Sequence, residues 1–154
     1  MTIRNSAKAL IMEDERVLLL KYEDEEGGYY ALPGGGQDYQ EPIIDALQRE
    51  CVEEIGAEVT IGSLAFVREY IGKNHEFSET DHHIHQVEFI YHCTLKNPAA
   101  HIQNGVLPDS GQLGAEWISV HSLLEKRVYP AALKKLILSY RFGEHVPTYI
   151  GDTN

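Results

Sequence analysis

The segment Gly35 to Ala57, GGQDYQEPIIDALQRECVEEIGA, decides how this chain folds and which chemistry it can support. Pro42 suits the first turn of a helix, and apolar residues recur every three or four positions after it. Gly56 then supplies a left-handed stop. The pattern predicts a helix from Pro42 to Gly56. Its expected buried stripe consists of Ile43, Ile44, Leu47, Cys51 and Ile55.

Three glutamates of this helix stand where folding alone gives no reason for them. On a wheel of about 100° per residue, Glu50 and Glu54 border the apolar stripe and Glu53 lies close by. Like charges at these spacings destabilise a helix by about 0.2–0.5 kcal/mol per pair, and anions near its C-terminus by about 0.3–1 kcal/mol each. A bound cation would offset both effects, and oxygen ligands favour a hard ion such as Mg²⁺. A solvated patch of good helix formers is the alternative that spacing alone leaves open.

The composition limits the class of protein. The chain has 154 residues, with 13 Lys+Arg against 24 Asp+Glu, and therefore a formal net charge of −11. This is the size of one domain, so we expect residues 1–154 to form a single domain. A hydrophobic content of 43% excludes a disordered chain. The acidic balance argues against duplex nucleic acid as a partner, because its phosphates need clustered Lys and Arg.

Targeting signals and membrane spans are not evident in the sequence. No apolar run approaches the roughly 20 residues that a membrane-spanning helix needs, so we expect no membrane partner. Residues 1–5 lack the pattern of a signal peptide. The two cysteines, Cys51 and Cys93, are too few for a disulfide framework. These features predict a cytoplasmic location.

Apolar and β-branched segments predict the other elements of the chain. The expected strands lie at residues 7–12 and 16–22, which have hairpin spacing, and at 29–32, 59–71, 84–95 and 117–120. Gly34–Gly36 after the third strand is expected to be a turn. A second helix is expected to begin at Pro130 and end at Gly143, with a stripe of Leu133, Leu136, Ile137 and Tyr140. This order of elements indicates mixed α/β layers.

The segment quoted above resembles the signature of the Nudix hydrolase family (MutT-related), G-x5-E-x7-R-E-U-x-E-E-x-G-U, in which U is apolar. A match of this length is far more specific than a lone glycine-rich loop. The two U positions hold Cys51 and Ala57, which are smaller than the usual residues but touch no charged role. The fixed positions are filled by Gly35, Glu41, Arg49, Glu50, Glu53, Glu54 and Gly56.

The resemblance implies a Nudix-type α/β/α sandwich with a mixed β-sheet. It also implies a metal-dependent hydrolase that cleaves the diphosphate linkage of a nucleoside diphosphate joined to another group. Glu50, Glu53 and Glu54 would be the catalytic residues and would hold Mg²⁺ or Mn²⁺, with Gly34 as a further metal ligand. The metal would bridge phosphate oxygens and lower the pKa of a bound water.

The same resemblance assigns supporting roles. Glu41 and Arg49 would form an ion pair that braces the loop against the helix. Gly35 and Gly56 would support the site through backbone conformations that other residues rarely adopt. The general base would be either Glu50 or an acid on a loop outside the segment, for which Asp109 is the candidate.

The expected partner is a small-molecule nucleotide, and a homodimer is a further expectation because the family often dimerises. ADP-ribose, nucleotide sugars, dinucleoside polyphosphates and oxidised nucleoside triphosphates all stay open, since specificity depends on loops outside the segment. Two alternatives have other functions. One is a non-catalytic nucleotide-binding regulatory module with the same fold, and the other is an acidic interaction protein without a ligand.

Weaker signals lie outside the glutamate helix. Tyr29, Tyr30 and Tyr39 lie around the glycines and are candidates for stacking on a base, although packing in the core explains Tyr30 equally well. The cluster of His82, His83 and His85 suggests zinc, but its spacing matches no common zinc pattern. A polar rim that faces the substrate, or simple surface exposure, is the favoured interpretation of these histidines.

Overall fold

Strands from both ends of the chain meet in one mixed sheet. The computed structural model describes residues 1–100, 102, 104–105 and 107–154. The strands are β1 (Arg4–Glu13), β2 (Arg16–Asp24), β3 (Gly27–Ala31), β4 (Gly34–Gly36), β5 (Val59–Ile71), β6 (His85–Leu95), β7 (Gly114–Ser119), β8 (Val128–Tyr129) and β9 (Tyr149–Asp152). The α-helices are α1 (Ile43–Ile55), α2 (Ser78–Asp81) and α3 (Ala132–Arg141), with 3-10 turns at Gly72–Asn74 and Val120–Glu125.

The first hairpin determines where the glycine segment can lie. Asp14 and Glu15 adopt positive φ angles of 48° and 60°, as a two-residue hairpin turn requires. Beyond Met12↔Val17, β1 and β2 separate, and β1 pairs in parallel with β6 along its other edge. Strand β4 fills the free edge of β1 in antiparallel register, with Lys8 opposite Gly34. The strand order is β8-β3-β2-β1-β6-β5-β9, with β4 joined to β1 and β7 joined to β2.

Helices cover both faces of this sheet. On one face, α1 buries Leu47, Cys51 and Ile55 completely against residues of β1 and β2. On the other face, α3 buries Leu133 and Ile137 in a second cluster with residues of β2, β5 and β6. A helix on each face of a mixed sheet confirms the expected α/β/α architecture.

The structure differs from the sequence-based expectations at several positions. Ile44 is 49% exposed because α1 buries only a narrow stripe. Tyr140 is also exposed, and its ring stacks on that of His92 at 4.3 Å between centroids. The turn expected at residues 34–36 is strand β4. Elements α2, β8 and β9 were not expected from the sequence.

Two further expectations concern disulfide bonds and membrane-spanning helices. Cys51 and Cys93 are both free thiols in the core, and burial raises the pKa of each. Within the described ranges, no helix has the length and apolar character needed to cross a membrane.

A buried ion pair joins β5 to β6. The side chains of Arg68 and Glu88 lie opposite each other in the register and are almost fully buried. Arg68 Nη1 also donates to the carbonyl oxygen of Thr153 at 2.6 Å, which holds the C-terminal residues against the sheet. Burial alone would raise the pKa of Glu88, but the positive charges of Arg68 and Lys8 hold it below its usual value.

We expect Arg68→Met to lower the free energy of unfolding by about 3–5 kcal/mol, because it removes the main counter-charge of the buried Glu88. The double substitution Arg68→Met/Glu88→Leu should recover most of that loss, since neither charge is then buried. Urea unfolding of both variants and the wild type near pH 7 measures the difference. An Arg68→Met protein as stable as the wild type would contradict the assigned role of the pair.

Candidate active site

The glycines of β4 allow two unusually close approaches. Gly34 has φ 126°, and a Cβ atom there would lie 2.1 Å from the carbonyl oxygen of Ala7. A Cβ atom on Gly35 would lie 2.5 Å from the carboxyl carbon of Glu50. Only glycine at these two positions lets β4 pair with β1 while the Glu50 carboxylate rests against the loop.

Glu54 is a nearly buried carboxyl group at the C-terminal end of α1. It is 4% exposed, and its Oε2 accepts the backbone N–H of Gly34 at 2.7 Å. Burial raises the pKa of Glu54 to about 7, although the Gly34 N–H and the Lys8 ammonium favour the charged form. A buried carboxyl group with so little compensation is suited to binding a cation.

Arg49 joins the glycine segment to α1. Its Nε and Nη2 donate to the two carboxylate oxygens of Glu41 at 2.9 and 3.0 Å, and Nη2 also donates to the Gly36 carbonyl at 3.0 Å. Hydrogen bonds from Arg49 are the main reason that the pKa of Glu41 falls to about 2. The Glu41–Arg49 ion pair that the family resemblance implies is therefore present in the structure.

The other two glutamates converge on one atom of Arg49. Nη1 lies 3.0 Å from Glu50 Oε1 and 3.3 Å from Glu53 Oε2, so these carboxylates already face a common positive charge. A second cation, the Lys8 ammonium, donates to the Gly34 carbonyl at 2.7 Å. Two positively charged side chains thus contact three of the four groups expected to bind metal.

The donor set fits a hard divalent ion, but the side chains do not enclose one as they stand. In the part of the chain that the structure describes, no three His, Cys, Asp or Glu side chains surround a common metal position. Glu50, Glu53, Glu54 and the Gly34 carbonyl offer only oxygen atoms, which Mg²⁺ and Mn²⁺ prefer. The convergence of Glu50 and Glu53 on a single guanidinium nitrogen indicates that their oxygens can share one cation.

Asp109 lies on a loop attached to the same end of α1. The backbone N–H of Gly105 and the side-chain amide of Gln112 donate to the Glu54 carbonyl at 3.0 and 2.8 Å. These bonds satisfy a carbonyl that the helix itself leaves unpaired. Asp109 Oδ2 accepts the Tyr22 hydroxyl at 2.9 Å, and its charge contributes to the raised pKa of Glu54. The structure therefore brings Asp109 close to the glutamates.

Two of the three tyrosines nominated from the sequence lie away from the glutamates. Tyr30 is buried in the cluster that contacts α3, and its hydroxyl donates to Glu116 at 3.2 Å. It lies on the face of the sheet opposite α1, so the structure does not bring it to the glutamates. Tyr39 is 93% exposed on the loop before α1. Tyr29, the third candidate, packs on the α1 side of the sheet.

The histidine cluster does not form a metal site within the described residues. The rings of His82 and His83 meet edge to face at 5.5 Å, and both residues are exposed. His85 Nε2 lies 3.4 Å from Glu69 Oε1. The exposure of His82 and His83 agrees with simple surface exposure, one of the two favoured interpretations.

Comparison with known proteins agrees with the family resemblance of the sequence. The family model described as the NUDIX domain matches residues 2–138. This chain belongs to the Nudix family. Nudix hydrolases generally use divalent metal ions and act on small nucleotide substrates. No match to the chain is found among curated proteins.

Solved Nudix structures share the fold over nearly the whole chain. A NUDIX hydrolase from Nitrosomonas europaea is 19% identical with a TM-score of 0.73, covering 95% of this chain and 93% of its own. A MutT NUDIX hydrolase from Burkholderia pseudomallei is 25% identical with a TM-score of 0.67, covering 87% and 96%. An ADP-ribose pyrophosphatase from Streptococcus suis is 21% identical with a TM-score of 0.63, covering 98% and 100%.

We expect Glu41→Gln to reduce stability in a pH-dependent way. The folded-state pKa of Glu41 is about 2, below the ordinary 4.5, so its charge stabilises the fold fully above pH 4.5. This contribution is lost as the pH falls from about 4.5 toward 2. The stability difference between wild type and Glu41→Gln should therefore be larger at pH 6 than at pH 3, as measured by urea unfolding.

Asp38→Asn is the matched control, because Asp38 is highly exposed and lies 3.7 Å from Arg49 without a direct hydrogen bond. It should change stability little at either pH. If the two variants behaved alike, the bracing role of Glu41 would be wrong.

Proposed function

We propose that this chain is a metal-dependent pyrophosphohydrolase. Its substrate is a nucleoside diphosphate linked to another moiety, such as ADP-ribose, a nucleotide sugar or a nucleoside triphosphate. The observation that carries the proposal is the convergence of Glu50 and Glu53 on one cationic atom, beside the buried carboxyl group of Glu54. The cofactor is Mg²⁺ or Mn²⁺.

Each acidic side chain has a distinct part in this proposal. The metal is held by Glu50, Glu53, Glu54 and the Gly34 carbonyl. Lys8 donates a hydrogen bond to that carbonyl, and this bond is either kept or broken when the metal binds. The bound ion supplies charge neutralisation on the phosphates and a water of lowered pKa. Arg49 keeps the carboxylates of Glu50 and Glu53 oriented through its Nη1 atom.

Glu50 is the better candidate for the general base. Its Oε1 accepts from Arg49, and among the described residues no donor is assigned to its Oε2. In Asp109, by contrast, Oδ2 accepts the Tyr22 hydroxyl and Oδ1 accepts the Ser110 N–H. Glu50 Oε2 can therefore take a proton from an attacking water without breaking an existing hydrogen bond.

The remaining expectations are part of the same proposal. We treat residues 1–154 as one domain, because the sheet takes strands from both ends of the chain. A homodimer, a cytoplasmic location and the lack of a duplex nucleic-acid partner stay predictions.

We expect Glu53→Gln and Glu54→Gln each to lower kcat by about 100-fold or more, since each removes a charged metal ligand worth several kcal/mol in the transition state. The assay follows Mg²⁺-dependent and Mn²⁺-dependent hydrolysis of ADP-ribose, nucleotide sugars and nucleoside triphosphates. Glu58→Gln is the control, because Glu58 is an exposed glutamate that lies 3.6 Å from Lys96. Circular dichroism and thermal melting should show all three variants folded.

Two results would contradict the proposal. Undiminished turnover in Glu54→Gln would remove the metal assignment. A wild-type protein that binds nucleotides tightly but hydrolyses none with either metal would instead be the regulatory module.

A further inference from the structure

The connection between β5 and β6, residues 72–84, forms a compact flap on the surface of the molecule. It begins where the pairing of Ile71 with His85 ends the ladder between the two strands. The backbone N–H of Gly72 donates to the carbonyl oxygen of Ile84 at 2.9 Å, so the two ends of the flap are held together. This length and these joined ends are typical of Ω-loops, which pack on themselves and frequently have a function.

Contacts within the flap keep it in one shape. Its backbone N–H groups donate to carbonyl oxygens of the flap itself, such as Asp81 to Phe77 at 2.8 Å and Ser78 to His75 at 3.0 Å. A Cβ atom on Gly72 would lie 2.0 Å from the carbonyl oxygen of Asp81, so the chain folds back tightly on itself. The flap can therefore move as one piece, by bending where it joins the two strands.

Little apolar contact attaches the flap to the rest of the molecule. Of residues 72–84, Gly72 alone is buried. The two core clusters, as far as the structure describes them, contain no residue of the flap. Phe77 is 40% exposed, and its ring meets that of Tyr129 edge to face at 5.5 Å between centroids. Segments with so few buried apolar contacts open at a small cost in free energy.

The side chain of Asp152, in β9, holds the flap in place. Its Oδ1 accepts the Ile71 backbone N–H at 2.9 Å and lies 2.6 Å from His75 Nε2. Its Oδ2 accepts the side-chain amide of Asn74 at 2.7 Å. Burial alone would raise the pKa of Asp152, but these hydrogen bonds lower it to about 2. The carboxylate that fastens the flap is therefore charged near neutral pH.

Tyr70 and Asn154 make further contacts with the flap. The Tyr70 hydroxyl donates to Asp81 Oδ2 at 2.8 Å, and the Tyr70 ring stacks on that of His75 at 5.3 Å. The side-chain amide of Asn154 donates to Glu76 Oε1 at 3.0 Å. Because hydrogen bonds depend strongly on distance and angle, a small movement of the flap away from β9 breaks the bonds to Asp152 and Asn154 together.

The flap forms one wall of a pocket of about 320 Å³. Phe77 and Asp81 line this pocket from the flap, whereas Tyr29 and Tyr129 line it from β3 and β8. The Tyr129 ring contacts Phe77 on one side and meets the Tyr29 ring at 5.7 Å on the other. Since the two walls belong to different elements, a movement of the flap changes the width of the pocket.

We propose that residues 72–84 act as a hinged flap that opens and closes this pocket, and that Asp152 is the latch that keeps the flap closed. Opening breaks the hydrogen bonds from Asn74 and His75 to Asp152 and separates Phe77 from Tyr129, while the bonds within the flap are kept. A hydrogen bond to a charged group contributes more to stability than a neutral one. Removal of the Asp152 charge therefore favours the open flap.

Fluorine NMR of the protein labelled with 4-fluorophenylalanine reports the surroundings of the Phe77 ring directly, and Phe77→Leu assigns its signal. We expect Asp152→Asn to raise the population of the open flap about tenfold, since it weakens hydrogen bonds to a charged group. The Phe77 signal should then shift toward that of a solvent-exposed ring. Asn74→Ala removes only one bond to the latch and should shift the signal in the same direction by less.

Glu79→Gln is the matched control, because Glu79 is an exposed glutamate of the flap itself. It removes the same charge as Asp152→Asn and should leave the Phe77 signal unchanged. Amide exchange at Thr153, whose N–H donates to the Glu69 carbonyl at 3.1 Å, shows whether β9 stays paired with β5 in Asp152→Asn.

Three results would overturn the proposal. One is an unchanged Phe77 signal in Asp152→Asn while Thr153 stays protected from exchange. Another is an equal shift in Asp152→Asn and Glu79→Gln, since charge alone would then move the ring. If Thr153 exchanged fast in Asp152→Asn, β9 itself would have detached, and an unchanged Phe77 signal in Asn74→Ala would be the third.

Discussion

The Arg49 guanidinium is the interaction on which the rest of the site depends. One planar group fastens the loop before α1 through Glu41, fixes β4 through the Gly36 carbonyl, and faces the carboxylates of Glu50 and Glu53. A lysine could not replace it, because its single ammonium lacks the fork of donors that contacts these groups from one position. Loop, strand and helix are therefore aligned by a residue that belongs to the helix itself.

This arrangement also reduces the electrostatic repulsion at the acidic end of α1. Repulsion among the glutamates is offset by Arg49, while Lys8 lies close enough to favour the charged form of Glu54. The exposed carbonyls at the end of α1 are satisfied by the N–H groups of Gly105 and Leu107. The acidic end of α1 is thus stabilised by cations and N–H donors of the chain itself.

Features that depend on local pattern could be predicted from the sequence. Pro42 and Gly56 bracket α1 as expected, and Gly56 is left-handed with φ 65°. Features that depend on pairing could not. Three glycines have no preference for a strand, and β4 forms only because β1 has a free edge after β2 diverges. Likewise, the sequence nominated Tyr29 and Tyr30 alike, and only the pairing of Tyr29 with Tyr22 shows that Tyr29 is the one that faces α1.

The glutamates and the pocket beside β3 and β8 are built from the chain in different ways. The glutamates lie on one helix, so their spacing is visible in a short segment of sequence. The pocket lined by Tyr29, Phe77 and Tyr129, by contrast, is assembled from β3, β8 and the residues around α2. These segments are far apart in the chain and meet only after the sheet has formed. The loop that carries Asp109 contacts both parts, through the Glu54 carbonyl on one side and the Tyr22 hydroxyl on the other. Substitutions in the pocket can therefore change its surface without altering the helix that carries the glutamates.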